Sequence, residues 1–238
     1  AAPFGSQVGR AIERVAELER DLEEIRSQVS QGTTAKADFL ANISHELRTP
    51  LTALKGYLEV LRRKNEPRAL EGALREAGRM EALLAGLLRL SRLEALPPQR
   101  VPLDLRAFLE AQGLEVQGEG RVLADPELLA LAVENVLENA RRHGRLPVRA
   151  ELSREGEGVW VWLVDAGPGF PEDLLPRVLE PFVHGGKGTG LGLALVAAVA
   201  RAQGGRVRVE NRGGAGVGLY LPLAPLKVSP GVPFGEGG

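Results

Sequence analysis

The first part of the chain is dominated by apolar residues at helical spacing. Between residues 8 and 29 they follow a heptad, with Val8, Val15, Leu22 and Val29 at position a and Ala11, Leu18 and Ile25 at position d. Glu and Arg occupy most of the other positions, which is typical of a parallel coiled coil. A single solvent-exposed amphipathic helix would give the same pattern over three heptads, so the sequence leaves both arrangements open.

Two further helices are predicted downstream. The seam of the first comprises Leu40, Ile43, Leu47, Leu54 and Leu61, widened by Leu51 and Leu58, and that of the second, from about Pro67 to Leu93, comprises Leu70, Ala73, Ala77, Met80, Leu84, Leu87 and Ser91. The turn 64–66 is short, and Pro67 suits a first helical position, so we expect an antiparallel hairpin. Because both apolar faces are wide, the pattern predicts a homodimer in which two hairpins form a four-helix bundle.

The first heptad and the hairpin are out of register. Continued past residue 29, the first heptad places position a at residue 36, whereas the hairpin places it at Leu40. This offset of four residues is a stutter, and it coincides with the weak helix formers 32–34. We therefore predict a break around residues 32–36 that relays a rotation or bend into the hairpin.

Beyond residue 100 the pattern changes to alternating strands and helices. Asp125, Pro126 and Glu127 supply an N-cap, a first-turn proline and a first-turn acid for a helix that ends near His143. Further helices are predicted at 105–112 and 191–203, and strands at 148–152, 159–164, 207–210 and 217–221, the last two joined around 213–216. The order predicts an α/β sandwich, a mixed sheet with helices on one face. The Pro/Gly-rich tail from about 229 is predicted to be disordered.

Composition narrows the classes of function. The chain has 238 residues and a formal net charge of −1, which argues against nucleic acid or an anionic membrane as its main partner. It has no cysteine, which excludes disulfides and thiolate metal sites, and its three histidines lack metal-ligand spacing. No apolar run approaches the ~20 residues of a membrane span, and no signal peptide is recognisable. These features predict a cytoplasmic module.

The segment His45–Pro50 carries the most informative chemistry. With Leu40 at position a, His45 falls at position f, facing away from the seam, where an imidazole is free to react. Pro50 lacks the N–H that would bond the carbonyl of Glu46, so we expect the helix to bend or loosen there. Taken alone, an outward histidine is also what any amphipathic helix can show on its surface.

The helix that begins after Asp125 carries a motif suited to phosphates. Asn135 and Asn139 lie four residues apart on one face, and amide oxygens suit a Mg²⁺ ion that bridges phosphates. Arg142 and His143 follow one turn later, within reach of a phosphate or a base.

Two glycine-containing motifs complete a predicted nucleotide site. Asp165 follows a strand and can accept from an adenine amino group, while Gly167 and Gly169 let the backbone approach a ligand. A second glycine-rich run opens the next helix and offers backbone N–H groups to phosphates: Gly186, Lys187, Gly188, Thr189, Gly190, Leu191 and Gly192. Each motif is weak alone, but the ordered combination is specific.

In this order the motifs resemble the cytoplasmic core of bacterial two-component sensor histidine kinases, over about residues 36–225. The matching segments are His45–Pro50 (H box), Asn135–His143 (N box), Asp165–Gly169 and Gly188–Leu193 (glycine boxes) and Pro181-Phe182 (F box).

The resemblance implies a domain order. A dimerisation and histidine phosphotransfer domain would span 36–96, and a catalytic ATP-binding domain, with the fold shared by Hsp90, DNA gyrase B and MutL, would span 101–225. Residues 1–35 resemble the last helix of a HAMP-type relay together with a coiled-coil signalling helix, and 226–238 would form the tail. Membrane contact would occur only through segments outside this chain.

The resemblance also implies a mechanism. His45 would attack the γ-phosphate of ATP, while Glu46 orients the imidazole and takes its proton. Mg²⁺ would be held by Asn139, and the nucleotide by the N-box and glycine-box residues named above together with Phe182. The phosphohistidine would then donate to an aspartate in the receiver domain of a response regulator. Thr49 matches the position that aligns water for dephosphorylating the regulator, or it is an ordinary surface threonine.

Departures from the family pattern keep other functions open. The ATP lid after Phe182 is shortened to five residues, with His184 where arginine is frequent and Lys187 as a substitute charge, and Ala166 stands where asparagine is common. A catalytically weak scaffold or a phosphatase-dominant, regulator-binding dimer is therefore the alternative. A gyrase-like ATPase is disfavoured because Asn135 occupies the place of its general-base glutamate.

Overall fold

The computed structural model describes residues 4–29, 35–95, 97–183 and 188–224. Contacts divide the chain into two compact units, residues 1–92 with 176–195 and residues 93–175 with 196–238. Among the described residues, the first unit contains the long helices and the second contains every strand.

Three long helices open the chain: α1 (Phe4–Val29), α2 (Ala35–Lys64) and α3 (Pro67–Ala95). Pro67 begins α3 as predicted, and Asn65 in the turn before it adopts a φ of 47°. Helix α2 continues through Pro50 as an uninterrupted helix. The predicted register break lies for the most part outside the described residues, so it stays a prediction.

Helix α1 packs along α2 in the opposite direction. Val8 and Ile12 share an apolar cluster with Leu61 near the end of α2 and with Ala69 at the start of α3. Further along α1, Glu19 is bonded to Thr52 and Lys55, earlier in α2. Residues later in α1 therefore contact residues earlier in α2, so the two helices run antiparallel.

The buried stripe of α1 differs from the predicted a/d seam. Among the residues of α1 whose burial is described, up to residue 20, Val8 and Val15 at position a are buried together with Ile12, at position e. Leu18, at position d, is 40% exposed. The buried stripe is rotated toward position e because this side of α1 packs against α2 of the same chain.

Helix α3 keeps an apolar surface exposed in the single chain. Its buried positions include Ala69, Ala73 and Leu83. By contrast, four leucines are between 46% and 64% exposed, two of them in the predicted seam: Leu70, Leu74, Leu84 and Leu88. These leucines therefore stay exposed along one side of α3 in the single chain.

The remaining elements form the predicted α/β arrangement. They are β1 (Val101–Asp104), α4 (Leu105–Ala111), β2 (Glu115–Gln117), β3 (Arg121–Ala124), α5 (Pro126–His143), β4 (Arg149–Glu155), β5 (Gly158–Val164), α6 (Gly192–Ala202), β6 (Arg206–Asn211) and β7 (Ala215–Pro222). Five strands make a mixed sheet in the order β2-β4-β5-β7-β6, in which only β2 and β4 pair in parallel. Strands β1 and β3 pair separately. The short strands β1 to β3 were not predicted, because three or four residues carry too little alternation.

All seven residues of β5 are buried, so both faces of the sheet are covered there. One face carries fully buried aliphatic residues: Val159, Val161 and Leu163. On the other face, Trp160 stacks on Trp162 with ring centroids 5.6 Å apart. The guanidinium of Arg212 lies 4.4 Å from the Trp162 ring, and that of Arg206 lies 4.1 Å from the Tyr220 ring. Arginine side chains therefore help to cover this face.

Hydrogen bonds to both the side chain and the backbone of Asp125 anchor the start of α5. The Asp125 carboxylate accepts from the backbone N–H groups of Glu127 and Leu128, which confirms the predicted N-cap. The fully buried Gln203 accepts from the Asp125 backbone N–H at 2.5 Å and donates to its carbonyl at 3.3 Å. These bonds fix the helix that carries the two asparagines.

Candidate functional site

His45 projects from α2 into solvent, as its heptad position predicts. Its side chain is 71% exposed, and its Nδ1 atom lies 3.8 Å from Oε1 of Glu46. That separation is slightly too long for a hydrogen bond, but it places the carboxylate on the Nδ1 side of the ring. The opposite nitrogen, Nε2, is then the atom available for attack. Thr49 is also exposed, one turn further along the helix.

On α5, Asn135 and Asn139 occupy partly exposed positions beside the buried Val136 and Ala140. The Asn135 side chain donates from Nδ2 to the carbonyl of Leu131 at 2.8 Å. This bond fixes the amide, so its oxygen is the group left for a ligand. The predicted face of the helix is therefore formed.

Arg142 is held by an acid on the same helix. Its Nε donates to Glu138 at 2.6 Å, and Arg141 donates to the second oxygen of Glu138 at 3.4 Å. The hydrogen bond from Arg142, together with the two arginine charges, holds the pKa of Glu138 below its usual range against a smaller opposing effect of burial. Arg142 must leave this pair, or share it, to reach a phosphate. His143 ends α5 and is exposed.

Asp165 is buried at the end of β5, and its orientation is fixed. Its Oδ1 accepts from the backbone N–H groups of Gly167 at 2.9 Å and Ala215 at 2.8 Å. The Asp165 N–H in turn donates to the Ala215 carbonyl at 3.1 Å. Oδ2 is directed toward Gly144, where an added Cβ would collide with it.

The turn after β5 packs against the end of α5. A Cβ at Gly167 would lie 2.7 Å from the Gly144 Cα and 2.9 Å from the Arg145 nitrogen, so only glycine fits. The Ala166 N–H donates to the Arg145 carbonyl at 2.8 Å, which joins the two segments directly. The segment directly after the N box and the first glycine box, far apart in the chain, therefore meet.

Gly169 and Asn211 fix the other side of this turn. Gly169 has a φ of 91°, and a Cβ there would come within 2.5 Å of Asn211 Oδ1. The Asn211 side chain accepts from the Phe170 N–H at 2.7 Å and donates to its carbonyl at 3.0 Å. Sequence reasoning missed Asn211, Gly144 and Ala215. The one visible signal was Gly144 directly after the helix, which indicated only a helix end.

Phe182 and Gly190 meet within the segment 176–195. The Phe182 N–H donates to the Gly190 carbonyl at 2.9 Å, and a Cβ at Gly190 would lie 2.6 Å from the Phe182 carbonyl carbon. Both residues have a φ of 67°. The F box and the second glycine box are therefore one local structure that requires glycine at 190.

The rest of the second glycine box leads into α6. Gly188 has a φ of 90°, and the Leu191 N–H approaches Thr189 Oγ1 at 3.4 Å. Leu191 is buried, and α6 begins at Gly192. Lys187 and the other residues from 184 to 187, which include most of the shortened lid, lie outside the described residues.

Two family models match the chain. One describes the His Kinase A (phospho-acceptor) domain and matches residues 35–96, and the other describes the histidine kinase-, DNA gyrase B- and HSP90-like ATPase and matches residues 124–225. The chain belongs to the sensor histidine kinases. The resemblance and the fold class inferred from the sequence are thereby confirmed. The match to the ATPase domain supports the use of ATP by this kinase core.

Similar proteins agree with this assignment. The kinase core is 31% identical over 227 residues to the signal transduction histidine-protein kinase AfsQ2 of Streptomyces coelicolor, covering 80% of this chain and 42% of the relative. It is 30% identical over 207 residues to the histidine-protein kinase BaeS of Escherichia coli, covering 76% and 44%. The chain thus spans less than half the length of these relatives. The structure of the Acinetobacter baumannii histidine kinase AdeS shares the fold, with a TM-score of 0.59 and 23% identity over 76% of this chain and 98% of that one.

In the part of this kinase core that the structure describes, no helix is both long and apolar enough to cross a membrane.

Proposed function

We propose that this chain transfers the γ-phosphoryl group of ATP to His45 and then to an aspartate in the receiver domain of a response regulator. The observation that carries the proposal is the exposed His45 imidazole with the Glu46 carboxylate on its Nδ1 side. A nucleophile needs one free ring nitrogen and a group that accepts the proton from the other, and this pair supplies both.

His45, Glu46 and the nucleotide together account for every bond and proton in the phosphoryl transfer. Nε2 of a neutral imidazole forms the bond to the γ-phosphorus, and the bond from that phosphorus to the β,γ-bridging oxygen breaks, so that ADP leaves with the electron pair. Glu46 accepts the Nδ1 proton, so the phosphorylated ring carries no additional charge. Histidine suits this role because a neutral imidazole has one unprotonated ring nitrogen for attack and carries its proton on the other.

Asp165 is proposed to select adenine. With Oδ1 occupied by two backbone N–H groups, Oδ2 is the acceptor for the exocyclic amine. Guanine presents a carbonyl oxygen at the equivalent position, which a carboxylate repels. The same geometry therefore predicts a preference for ATP over GTP.

The residues on α5 fit a magnesium ion bound together with ATP. Mg²⁺ prefers oxygen ligands and is commonly held by one or two protein groups plus phosphates. The amide oxygen of Asn139, on the same face as Asn135, is the proposed protein ligand, and Arg142 and His143 are proposed to contact the nucleotide. When bound, the ion neutralises charge on the phosphates during transfer.

The second glycine box is proposed to bind phosphates through its backbone. Gly188 and Gly190 adopt positive φ values, and the N-terminus of α6 follows at Gly192. Successive N–H groups and the positive end of a helix favour anions. Thr189, Leu191, Phe182 and Lys187 are included in this proposed site on the resemblance alone.

A second copy of the chain is the proposed partner of the helical hairpin. Four exposed leucines of α3 lie along one side of the helix, and an apolar stripe of this length is rare on monomers. Pairing two hairpins would bury it in a four-helix bundle. We further propose a cytoplasmic location in a membrane-anchored sensor, and a role for Thr49 in dephosphorylating the regulator.

Incubation of the chain with γ-labelled ATP and Mg²⁺ tests the proposal. We expect an acid-labile label on the wild-type protein and none on His45→Gln, which should bind ATP as the wild type does. Label on His45→Gln would refute the assignment of the nucleophile. A wild-type chain that binds ATP and the receiver domain but takes up no label would support the scaffold alternative.

A further inference from the structure

Helix α1 covers part of the surface that the hairpin would otherwise present to a partner. Its Val8 and Ile12 pack on Leu61 and Ala69, with Tyr57 and Leu58 beside them. Leu58 and Leu61 belong to the apolar seam predicted for the bundle. Helix α1 therefore covers residues that are also predicted to pack in the four-helix bundle.

A polar contact fixes the position of α1 along α2. Glu19 accepts from Thr52 Oγ1 at 2.9 Å and from Lys55 Nζ at 3.0 Å. Its side chain is 21% exposed. Burial of Glu19 opposes ionisation, yet the bonds from Lys55 and Thr52 and the charges of Lys55 and Arg48 hold its pKa below the usual range. The contact is thus specific for an ionised acid at residue 19.

This contact lies close to the phosphoacceptor residue. Thr52 is seven residues after His45, about 10 Å along the helix and on nearly the same face. Helix α1 runs ten residues beyond Glu19, about 15 Å, in the direction of His45. Its backbone therefore passes the level of His45, although the imidazole stays 71% exposed. A small molecule can reach the ring, but a whole domain must fit beside α1.

The two packings available to α1 exclude one another. In the docked arrangement the buried residues are Val8, Ile12 and Val15, whereas the coiled coil predicted from the heptad would bury Val8, Val15 and Leu18. Because Val8 and Val15 belong to both sets, one helix cannot make both contacts at once. Docking and the predicted coiled coil would therefore be two alternative states of α1.

We propose that docked α1 is an autoinhibitory helix, which restricts the approach of a protein domain to His45 and whose release raises the rate of autophosphorylation. This inference rests on the proposed function of His45. When most molecules are docked, the rate follows the small undocked fraction, so weaker docking raises the rate in proportion.

A charge reversal at Glu19 tests the proposal. Glu19→Arg replaces the bonds to Thr52 and Lys55 by repulsion from Lys55 and Arg48, and we expect initial autophosphorylation to rise about fivefold, which corresponds to the upper value for a surface ion pair. Glu17→Arg is the matched control, because Glu17 is more exposed and pairs with Arg14 of α1 itself. It should keep the wild-type rate.

The outcomes of this comparison are distinct. Equal labelling of Glu19→Arg, Glu17→Arg and wild type would overturn the autoinhibition while leaving His45 as the proposed phosphoacceptor. A similar rise in both variants would show an effect of net charge alone and would also overturn it. No label on any of the three proteins would refute the proposed function itself, and the regulation with it.

Cross-linking tests the docked position without reference to activity. The chain has no cysteine, so a Glu19→Cys/Lys55→Cys variant treated with a short bismaleimide has only one reactive pair. We expect a cross-link within one chain, seen by mass spectrometry, and a lower labelling rate than in the untreated variant. A separate Leu18→Cys variant reports the predicted coiled coil between two chains. The docked state would be overturned if Leu18→Cys cross-links efficiently between chains of the resting protein while the Glu19→Cys/Lys55→Cys variant gives no cross-link within one chain.

Discussion

Replacing Asp165 by asparagine changes one atom of the proposed adenine contact. The variant keeps an amide oxygen for the N–H groups of Gly167 and Ala215, which now bond Oδ1 at 2.9 and 2.8 Å. It replaces Oδ2 by an NH₂ group, which opposes the adenine amine donor with another donor. A hydrogen bond to a charged group contributes about 1.5–3 kcal/mol, so we expect ATP affinity to fall about ten- to a hundredfold.

Titration calorimetry with ATP and GTP in the presence of Mg²⁺ measures this change. The guanine carbonyl can accept from the new NH₂, so GTP should bind the variant better than it binds the wild type. Asp173→Asn is the control, because Asp173 is exposed and its substitution removes the same charge. Equal losses for ATP and GTP, accompanied by a lower melting temperature, would refute base recognition and leave Asp165 as a cap for the turn.

Three further predictions concern the residues around this site. Asn139→Ala should lose the part of ATP affinity that depends on Mg²⁺ and keep the part measured in EDTA; normal Mg-ATP binding would exclude the metal role. Gly144→Ala should weaken ATP binding more than tenfold, because its Cβ would displace Asp165 Oδ2; an unchanged dissociation constant in calorimetry would contradict this. Since the pKa of Glu138 is lowered in the folded state, its pairing should stabilise the protein above the ordinary glutamate pKa and lose that effect as pH falls through the lowered value. The melting temperatures of wild type and Glu138→Gln should therefore differ at pH 7 and converge in acid.

Local signals in the sequence predicted the elements that local rules govern. Asp125 and Pro126 located the start of α5, and Pro67 located the start of α3, because capping and proline geometry depend on a few neighbouring residues. The order of strands and helices was sufficient for a mixed sheet. The outward position of His45 followed from helical periodicity alone.

Contacts between distant segments were beyond the sequence pattern. Asp165 was predicted to contact adenine, but the pattern did not reveal the groups around its carboxylate: Ala215, fifty positions away, which donates to Oδ1, and Gly144 at the end of another helix, which lies against Oδ2. Neither carries a side chain with recognisable chemistry. Asn211 was missed for a related reason, since an asparagine at a strand end is common and its bonds to Phe170 depend on the folded sheet.

The packing of α1 shows how a correct periodicity can leave the partner undetermined. The heptad has valine at position a, and it is flanked on one side by Leu18 at d and on the other by Ile12 at e. Burying a leucine or an isoleucine contributes a similar free energy, about 1.5–3 kcal/mol each, so apolar burial hardly distinguishes the two stripes. The choice then depends on polar groups beside the stripe, and Glu19 lies where only docking on α2 gives it Thr52 and Lys55 as partners. A single charge at residue 19 can therefore decide between docking and the predicted coiled coil, which is the property that the proposed regulatory role of α1 requires.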